Sequence, residues 1–566
     1  MNFLHNHLGF ACAAPKRVLL QSRRATPAGR FRLIDLAQQQ VVYRGDLQPL
    51  PGVPGWRQRF FAAADVSAVQ QPGDYQLLLD GAALPLTSRP LRISPRLFDQ
   101  QHVSDLVHYF KSQRCSGVFD QADRHCPVLG SDARRDVHGG WYDASGDASK
   151  YLSHLSYANH LNPQQTPLVV WALATAGAQL QGASFWLAER IADETLHGAD
   201  FLCRMQHDEG WFHLTVFDRW SKDVAQRQLC SYATQQGHLL PRLQAGWRQG
   251  GGFAIAALAR ASMLPRDGEG FTRSHYRAAA ERGFAHLAEH GRAYLDDGRE
   301  NIIDDYSALL AAAELFAATG DARYAAASRE RAAALAARQH AEGWYWADDA
   351  QTRSFFHAAD AGAPHLALLR HLQLQSDDAV ARQALQRGLA AELRLTQHTV
   401  ANPFGYPRQQ VVMPGQPAKT GFFMPHANES GYWWQGENAR LASLAAAALA
   451  ARPVLADHEA GTGRADGSIE PASLTGYAQD ALDWIFGRNP FDVCMVQGAG
   501  AHPPRYEPGC WNAPGGVCNG ITAGLDDEED IDFRAPHETT PMHSWRWTEQ
   551  WLPHGAWLLL ALAFSM

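Results

Sequence analysis

The chain reads Asp136-Val137-His138-Gly139-Gly140-Trp141-Tyr142-Asp143-Ala144-Ser145-Gly146-Asp147-Ala148-Ser149-Lys150-Tyr151 within its first third. Glycine adopts turn conformations that other residues resist, so this glycine-rich stretch predicts a tight loop and not a helix. Such a loop brings the carboxylates of Asp143 and Asp147 into one small volume, where one can orient a water molecule while the other takes its proton. The alternative is a solvated turn whose aspartates cap the local backbone.

The stretch resembles the Gly-Gly-Trp-Tyr-Asp-Ala-Gly-Asp-x-x-Lys-Tyr signature of glycoside hydrolase family 9. Ser145 is an extra residue between the two aspartates, and it leaves their order unchanged. The resemblance implies that Asp147 is the general base of the reaction and that Asp143 helps to hold the nucleophilic water. An inverting glycosidase also needs a carboxylic acid that protonates the departing oxygen across the scissile bond.

That acid is expected near the C-terminus, in Trp545-Arg546-Trp547-Thr548-Glu549-Gln550-Trp551. The family carries it in an Asn-Glu-x-x-x-x-x-Asn-Ala motif, and the resemblance places Glu549 in the role of the acid. Desolvation between Trp547 and Trp551 would raise the pKa of Glu549, since burial disfavours the charged form. The alternative is a glutamate at the start of a terminal helix, where its charge favours the helix dipole.

The chain of 566 residues has a formal net charge of −8, and 46% of its residues are hydrophobic. A nucleic-acid-binding protein shows a basic face, so the acidic balance argues against that class. The apolar run from Ala556 to Phe564 is too short to span a bilayer, and residues 1–20 lack a signal-peptide pattern. We therefore expect a cytoplasmic protein with an oligosaccharide substrate and no nucleic-acid or membrane partner; the sequence leaves the oligomeric state open.

Two domains are predicted. Residues 1–97 read as β structure, because short apolar runs alternate with Pro, Gly and Asn/Asp turns. They resemble the immunoglobulin-like β-sandwich that precedes many family 9 catalytic domains. Residues 98–566 read as mainly α, since Ala/Leu-rich segments show helical periodicity, and the resemblance implies an (α/α)6 barrel. The predicted helical segments are 165–182, 184–206, 248–262, 273–290, 304–319, 321–339, 359–374, 376–394, 436–451 and 471–486.

A dense aromatic and polar cluster spans residues 422–438. Aromatic rings suit the apolar C–H faces of sugars, and polar neighbours can bind the hydroxyls. The acids Glu429 and Glu437 are not required by a neutral glucan, whereas a carboxylate can bind the ammonium group of a glucosamine unit. The alternative is that the aromatics pack the barrel. The expected substrate contacts are Trp141, Tyr142, Glu429, Trp434, Glu437, Asn438, Tyr506 and Trp547.

Metal sites have weak support in the sequence. Related enzymes often carry a structural zinc site that includes the positions of Cys115 and Cys126. Here a histidine position of that site is held by Tyr142, and only His125 or His138 could substitute, so no metal or cofactor is predicted. The acidic run Asp526 to Asp532 has three interpretations: a calcium loop, an attractor for a cationic substrate, or a solvated loop.

The combined prediction is an inverting glycoside hydrolase. The chain looks most like the cytoplasmic branch of the family in chitin-using bacteria, which implies an exo-β-D-glucosaminidase that releases glucosamine from the non-reducing end of chitosan-type oligosaccharides. The first alternative is a cytoplasmic β-glucosidase or cellodextrinase that acts on β-1,4-glucan oligosaccharides. The second is a non-catalytic carbohydrate-binding protein.

Overall fold

The structure, a computed structural model, describes residues 1–81, 85–180, 182, 184–431, 435–462, 469–505, 512–534 and 536–566. Two sheets form its N-terminal part, one in the order β1-β3-β7-β6 and the other in the order β2-β10-β8-β4-β5 with β9 added to β8. Alternate side chains of β8, from Tyr75 to Leu79, point into the apolar layer between the sheets. The predicted immunoglobulin-like sandwich is thereby confirmed. Its strands are β1 (Asn2–Leu4), β2 (Phe10–Ala11), β3 (Arg17–Ser22), β4 (Arg30–Asp35), β5 (Gln40–Asp46), β6 (Gln48–Leu50), β7 (Phe60–Asp65), β8 (Gly73–Leu79), β9 (Leu86–Thr87) and β10 (Leu91–Ser94).

Helices dominate the rest of the described chain. They are α1 (Gln100–Ser112), α2 (Gly117–Asp123), α3 (Thr166–Gln179), α4 (Phe185–Arg204), α5 (Gly252–Ala261), α6 (Arg273–His290), α7 (Ile302–Thr319), α8 (Ala322–Ala337), α9 (Ala363–Leu374), α10 (Ala379–His398), α11 (Asn438–Thr462), α12 (Pro471–Ile485), α13 (Pro541–Thr548) and α14 (Leu552–Ser565). The inner helices α3, α5, α7, α9, α11 and α14 contact one another in a closed ring, and α1, α4, α6, α8, α10 and α12 pack outside it. This arrangement confirms the predicted (α/α)6 barrel.

The two rings differ in burial as their sequences require. Every residue of α14 from Leu552 to Ala563 is buried, because an inner helix has neighbours on all sides. The outer helix α8 instead buries one stripe, made by Tyr324, Ser328, Ala332 and Leu335 at spacings of three and four residues. Among the helices that the structure describes, none combines the length and the apolar character that a membrane crossing requires.

Short strands lie in the segments between the helices. They are β11 (Cys126–Pro127), β12 (Arg134–Arg135), β13 (Lys150–Tyr151), β14 (Thr215–Phe217), β15 (Gln228–Ala233), β16 (His238–Leu240), β17 (Gln409–Val411), β18 (Lys419–Gly421), β19 (Thr522–Ala523) and β20 (Ile531–Asp532). Strands β13 to β16 form one antiparallel sheet, and its first strand directly follows the aspartate loop, which is defined as residues 136–149. The amide of Gln165, just before α3, donates to the carbonyl of Leu152, and that of Leu552 at the start of α14 donates to Asp143. The aspartate loop and its sheet therefore lie at the N-terminal ends of inner helices.

Candidate active site

The aspartate loop, residues 136–149, contains a turn that requires glycine. Gly139 and Gly140 have φ values of 81° and 71°, in the left-handed region that other residues rarely adopt. A Cβ atom on Gly140 would lie 2.8 Å from the ring of Phe201 on α4. Trp141 is fully buried, and its indole N–H donates to Glu194 at 3.2 Å. The backbone is thus clamped immediately before Asp143.

Ser145, the extra residue of the loop, joins it to the segment that carries Glu549. The amide of Ser145 donates to the carbonyl of Gln550 at 2.8 Å, and its hydroxyl accepts from the amide of Gln550 at 3.0 Å. These two residues are 405 positions apart in the chain. The amide of Leu552 also donates to the carbonyl of Asp143 at 3.1 Å. Glu549, between α13 and α14, is therefore fixed against the aspartate loop.

Asp143 is buried, and one of its oxygens accepts a hydrogen bond from the indole of Trp551 at 3.0 Å. Burial raises the pKa of the Asp143 carboxyl well above its usual range, and the charges of Asp147 and Glu549 raise it further. His154 lies 3.9 Å from the other oxygen. Because burial lowers the pKa of His154 to about 3, this ring is neutral and does not offset the carboxylate charges.

Asp147 is held at both oxygens. Its Oδ1 accepts from the amide of Ser149 at 2.8 Å, and its Oδ2 accepts from the hydroxyl of Tyr151 at 3.3 Å. Burial raises the pKa of Asp147 to about 6, and the nearby charge of Asp218 raises it too, against the hydrogen bonds from Ser149. A carboxylate with this proton affinity can both lose a proton near neutral pH and take one from water.

Glu549 completes the group of three carboxylates. Its side chain is partly exposed, and its carbonyl accepts from the amide of Asn519 at 2.7 Å. Its charge, together with that of Asp143, raises the pKa of Tyr109, which burial alone already places well above its usual range. The three acids therefore form one electrostatic unit, as an acid–base pair requires.

Four of the expected sugar contacts are buried and bound inside the protein. Trp141 donates to Glu194 as described, and the indole of Trp547 donates to Thr522 at 3.1 Å. Glu437 accepts from the Nε of Arg440 at 2.6 Å, and Asn438 donates to the carbonyl of Cys518 at 2.7 Å. Each of the four side chains is thus held by protein groups and has almost no exposed surface, and its contact with a sugar stays a prediction. They are Trp141, Glu437, Asn438 and Trp547.

The other expected contacts have different outcomes. Glu429 forms an ion pair with Arg353 at 2.6 Å, so its charge is already balanced. The phenol of Tyr142 is half-buried and donates to the carbonyl of Ser116 at 3.2 Å. Trp434 and Tyr506 lie outside the described residues.

The sequence analysis missed several side chains beside Asp147. Asp218 is fully buried just after β14, and Trp220 and Tyr232 pack around the ring of Tyr151. The only sequence signal was the turn-like composition of residues 218–223 after an apolar strand. Nothing in the linear pattern relates this turn to Asp147, which lies 71 positions earlier, and the β13–β14 pairing is what joins them.

The zinc positions of related enzymes do not fit a zinc ion here. The Sγ of Cys115 lies 3.6 Å from the carboxylate of Asp123, which the ammonium of Lys150 contacts at 2.7 Å. Burial raises the pKa of Cys115 and raises that of Cys126 to about 12, so burial favours the neutral thiol at both positions. Within the described residues, no group of three or more His, Cys, Asp or Glu side chains is arranged to hold a metal ion.

The acidic run is divided among several cations. Glu528 pairs with Lys419, Asp530 pairs with Arg57 of the sandwich at 2.9 Å, and Asp532 pairs with Arg534 at 2.9 Å. The amide of Arg57 also donates to Asp530. The run therefore joins the barrel to the sandwich, and its geometry gives no support to a calcium loop.

The family profile described as "Glycosyl hydrolase family 9" matches residues 97–507, which end before Glu549, and the profile "Cellulase N-terminal ig-like domain" matches residues 3–83. A metagenome-derived glycoside hydrolase family 9 endoglucanase has a similar structure over 100% of this chain and 99% of its own, with 20% identity and a TM-score of 0.66. No curated protein matched the chain significantly.

Two further solved structures are similar. A single mutant of a thermostable endoglucanase from Alicyclobacillus acidocaldarius shares 19% identity over 99% of both chains, with a TM-score of 0.64. A GH9 protein of Bacteroides ovatus shares 18% identity over 100% of this chain and 98% of its own, with a TM-score of 0.63. At this identity the structures show the shared fold, and the profile match covers most of the chain. The chain is a glycoside hydrolase, and it belongs to glycosyl hydrolase family 9.

Proposed function

We propose that this enzyme hydrolyses β-1,4-linked glucose oligosaccharides with inversion at the anomeric carbon. Asp147 deprotonates the attacking water, Asp143 holds that water, and Glu549 protonates the departing oxygen. The observation that carries the proposal is the pair of hydrogen bonds between Ser145 and Gln550, which fixes the Glu549 segment against the aspartate loop. Retention of all three carboxylates in one unit supports catalysis over sugar binding alone.

The protonation states support the same roles. The charge of Asp147 raises the pKa of Asp143, so Asp147 loses its proton first. Asp147 has two hydrogen bonds to its carboxylate, from Ser149 and Tyr151, and its pKa of about 6 leaves it ionised at neutral pH. Asp143 is more deeply buried and keeps its proton to higher pH. Near neutral pH, Asp147 is therefore ionised and can act as the base, while Asp143 still carries a proton with which it can orient the water.

A glucan substrate has more support than a glucosamine substrate. Of the three similar structures described above, two are named endoglucanases. The glucosamine prediction depended on free carboxylates at Glu429 and Glu437, but Arg353 balances the first and Arg440 the second. A balanced carboxylate gains little from a sugar ammonium group, because it would have to give up its own cation. Exo-acting release of glucosamine is therefore the second candidate function. The experiment below tests it with chitosan pentaose as a substrate.

The experiment compares cellopentaose and chitosan pentaose as substrates for the wild-type enzyme and for Glu549→Gln. We expect glucose oligomers to be cleaved, with the new reducing end appearing first as the α-anomer in time-resolved proton NMR. Glu549→Gln removes the acid and lowers kcat by about 100-fold to 10,000-fold. The matched control is Glu538→Gln, an exposed glutamate before α13, which leaves kcat unchanged.

Three outcomes contradict parts of the proposal. A first product with the β-anomer contradicts the inverting mechanism. Cleavage of chitosan pentaose alone contradicts the glucan substrate and selects the glucosaminidase. Binding of either oligosaccharide without turnover, at any pH between 4 and 9, contradicts catalysis and selects the carbohydrate-binding alternative.

A further inference from the structure

A closed ring of hydrogen bonds surrounds the base. The amide of Ser149 donates to Asp147 at 2.8 Å, and its hydroxyl donates to Asp218 at 2.8 Å. The amide of Trp220 donates to the same oxygen of Asp218 at 3.0 Å. The indole of Trp220 donates to the Tyr151 hydroxyl at 3.1 Å, and that hydroxyl donates to the second oxygen of Asp147 at 3.3 Å. The ring therefore begins and ends on the base, and it uses both of its oxygens.

The turn that carries Trp220 is held in a strained conformation. Arg219, Trp220 and Lys222 have φ values of 61°, 56° and 56°, although none of them is glycine. A non-glycine residue in this region is strained, and it persists only where the surrounding contacts hold it in place. The buried carboxylate of Asp218 holds the turn in this conformation, because it accepts hydrogen bonds from the backbone amides of Trp220 and Lys222. Strain of this kind directs the indole toward Tyr151.

The ring acts on Asp147 in two opposite ways. The hydrogen bonds from Ser149 and Tyr151 stabilise the charged carboxylate and so favour loss of its proton. The charge of Asp218 repels that carboxylate and favours retention of its proton. Ser149 bridges the two acids directly, which places the like charge close to the base. The balance between the two effects determines when the base is ionised.

We propose that Asp218, Trp220 and Tyr151 are positioning residues, which orient the catalytic base and set the pH at which it becomes able to accept a proton. This inference rests on the proposed role of Asp147 as the base. It adds residues from the sheet β13–β15 to a site that the aspartate loop and the Glu549 segment otherwise define.

Other charged groups around the base do not replace this control. Asp143, with Glu549 beyond it, faces the base from the loop and the acid segment. Arg227 donates to the carbonyl of Ala148 at 2.5 Å, but its charge is paired with Asp123 at 2.6 Å. The ring of His154, next to Tyr151, is neutral because burial lowers its pKa to about 3. The charged side chains at 219, 222 and 223 are exposed, so solvent screens them.

The test is the acidic limb of the pH profile of kcat/KM, which reports the base in the free enzyme. Tyr151→Phe removes a donor to the base, and we expect the limb to move up by about one pH unit. Trp220→Phe removes the donor to Tyr151 and moves the limb in the same direction by a smaller amount. Asp218→Asn removes the like charge and moves the limb down by about one pH unit. A purely structural role would change the rate without this pattern of opposite shifts.

The matched control is Tyr345→Phe, which removes the hydroxyl of a buried tyrosine that donates to Ala384 in the outer wall. Its limb stays at the wild-type position. Limbs that move in one common direction for Tyr151→Phe and Asp218→Asn, or that do not move, overturn the proposal. If Asp218→Asn fails to fold, as judged by circular dichroism, the two aromatic variants decide alone: absence of an upward shift in both overturns it.

A second readout separates this proposal from the proposed function. The carboxyl carbon of Asp147 is followed by NMR in protein labelled at aspartate, with its signal assigned by its loss in Asp147→Asn. The titration midpoint should shift in the same directions as the kinetic limb, and it can be measured without any substrate. If the protein cleaves no oligosaccharide but its titration midpoints shift as expected, the proposed function is wrong and the proposed role of the hydrogen-bonded ring stands. Unshifted midpoints overturn the ring, whatever the activity.

Discussion

The hydroxyl of Ser145 forms a hydrogen bond that connects the aspartate loop to the segment of Glu549. It accepts from the amide of Gln550 at 3.0 Å, one residue from the proposed acid. Ser145→Ala leaves that buried amide without its acceptor, which should cost about 1–3 kcal/mol in the free energy of unfolding. Because Glu549 loses its register with the aspartates, we also expect kcat to fall more than KM changes. Urea denaturation and steady-state kinetics measure the two effects.

Ser131→Ala provides the control for this substitution. Ser131 also accepts a backbone amide, that of Ala133 at 3.0 Å, but in an exposed turn. Its loss should change stability by less than about 0.5 kcal/mol and leave kcat unaltered. Equal effects of the two substitutions on kcat would contradict the role assigned to Ser145.

The protonation of Asp147 predicts a pH-dependent stability change. Its pKa rises from the ordinary 3.8 to about 6 in the folded protein, so the folded state holds this proton more tightly than the unfolded state. The contribution of this group to stability therefore falls as the pH rises from 3.8 to 6, and it stays low above pH 6. Asp147→Asn should raise the free energy of unfolding at pH 7.5 by about 3 kcal/mol, because each pKa unit corresponds to about 1.4 kcal/mol. At pH 4 the gain should vanish; a gain of equal size at both pH values would contradict the raised pKa.

At the residue scale, some contacts of the site were within reach of the sequence and others were not. Arg440 stands three residues after Glu437 at the start of α11, a spacing that predicts an ion pair on one helix face. The partner of Glu429 is Arg353, on another segment, and no local spacing predicts it. The catalytic roles came from motif resemblance, because composition alone supports a solvated turn equally well.

At the scale of elements, the ammonium of Lys150 shapes the aspartate loop. It donates to the carbonyls of Val137 and Gly139 at 2.7 and 2.8 Å and contacts Asp123 at 2.7 Å, with no exposure to solvent. Lys150→Met removes the cation and leaves these acceptors buried, so we expect a loss of about 3–5 kcal/mol in stability. Lys111→Met, at an exposed position of α1, should change stability by less than about 0.5 kcal/mol. A loss below 1 kcal/mol for Lys150→Met would contradict this role.

Periodicity predicted the helices α3 to α12, because most of them bury a regular apolar face, but the predicted segments do not include α1 and α14, which also belong to the two rings. The segment 273–290 coincides with α6, and 184–206 differs from α4 by one residue at its start and two at its end. Helix α11 extends to Thr462, through Pro453, well beyond the predicted end at 451. The packing of α11 on α12 and α14 offsets the hydrogen bond that proline removes. The sheet β13–β16 was missed, because strands of two to six residues show too little alternation to be recognised.

At the scale of the whole molecule, the order of motifs along the chain was enough to predict a sandwich followed by a barrel. It was not enough to predict how the two meet. Sandwich residues such as Leu4, Trp56 and Phe61 belong to the same apolar cluster as the barrel core, although they precede α1 in the chain. The side-chain amide of Asn6 likewise donates to the carboxylate of Asp483 in α12 at 2.8 Å. The barrel-facing side of the sandwich is therefore part of the barrel's apolar core, whereas the layer between its own two sheets is a separate cluster.

Trp56 provides the test of this continuity. Its ring is fully buried and packs against three aromatic rings of the barrel. The centroid of the Trp56 ring lies 5.1 Å from that of Phe422 and 6.1 Å from those of Phe404 and Trp484. Trp56→Ala opens a cavity between the domains, and we expect it to lower the free energy of unfolding by about 3–5 kcal/mol.

The readout for Trp56→Ala is the unfolding of both domains, followed together by near-UV and far-UV circular dichroism. Because the barrel-facing side of the sandwich is buried in the barrel core, sandwich and barrel should still unfold in one transition at a lower midpoint. Trp186→Ala is the control, since this tryptophan is 48% exposed on α4 and its removal creates no cavity. Two separate transitions, with the barrel retaining its wild-type midpoint, would show that the domains are stable independently and would contradict the shared core.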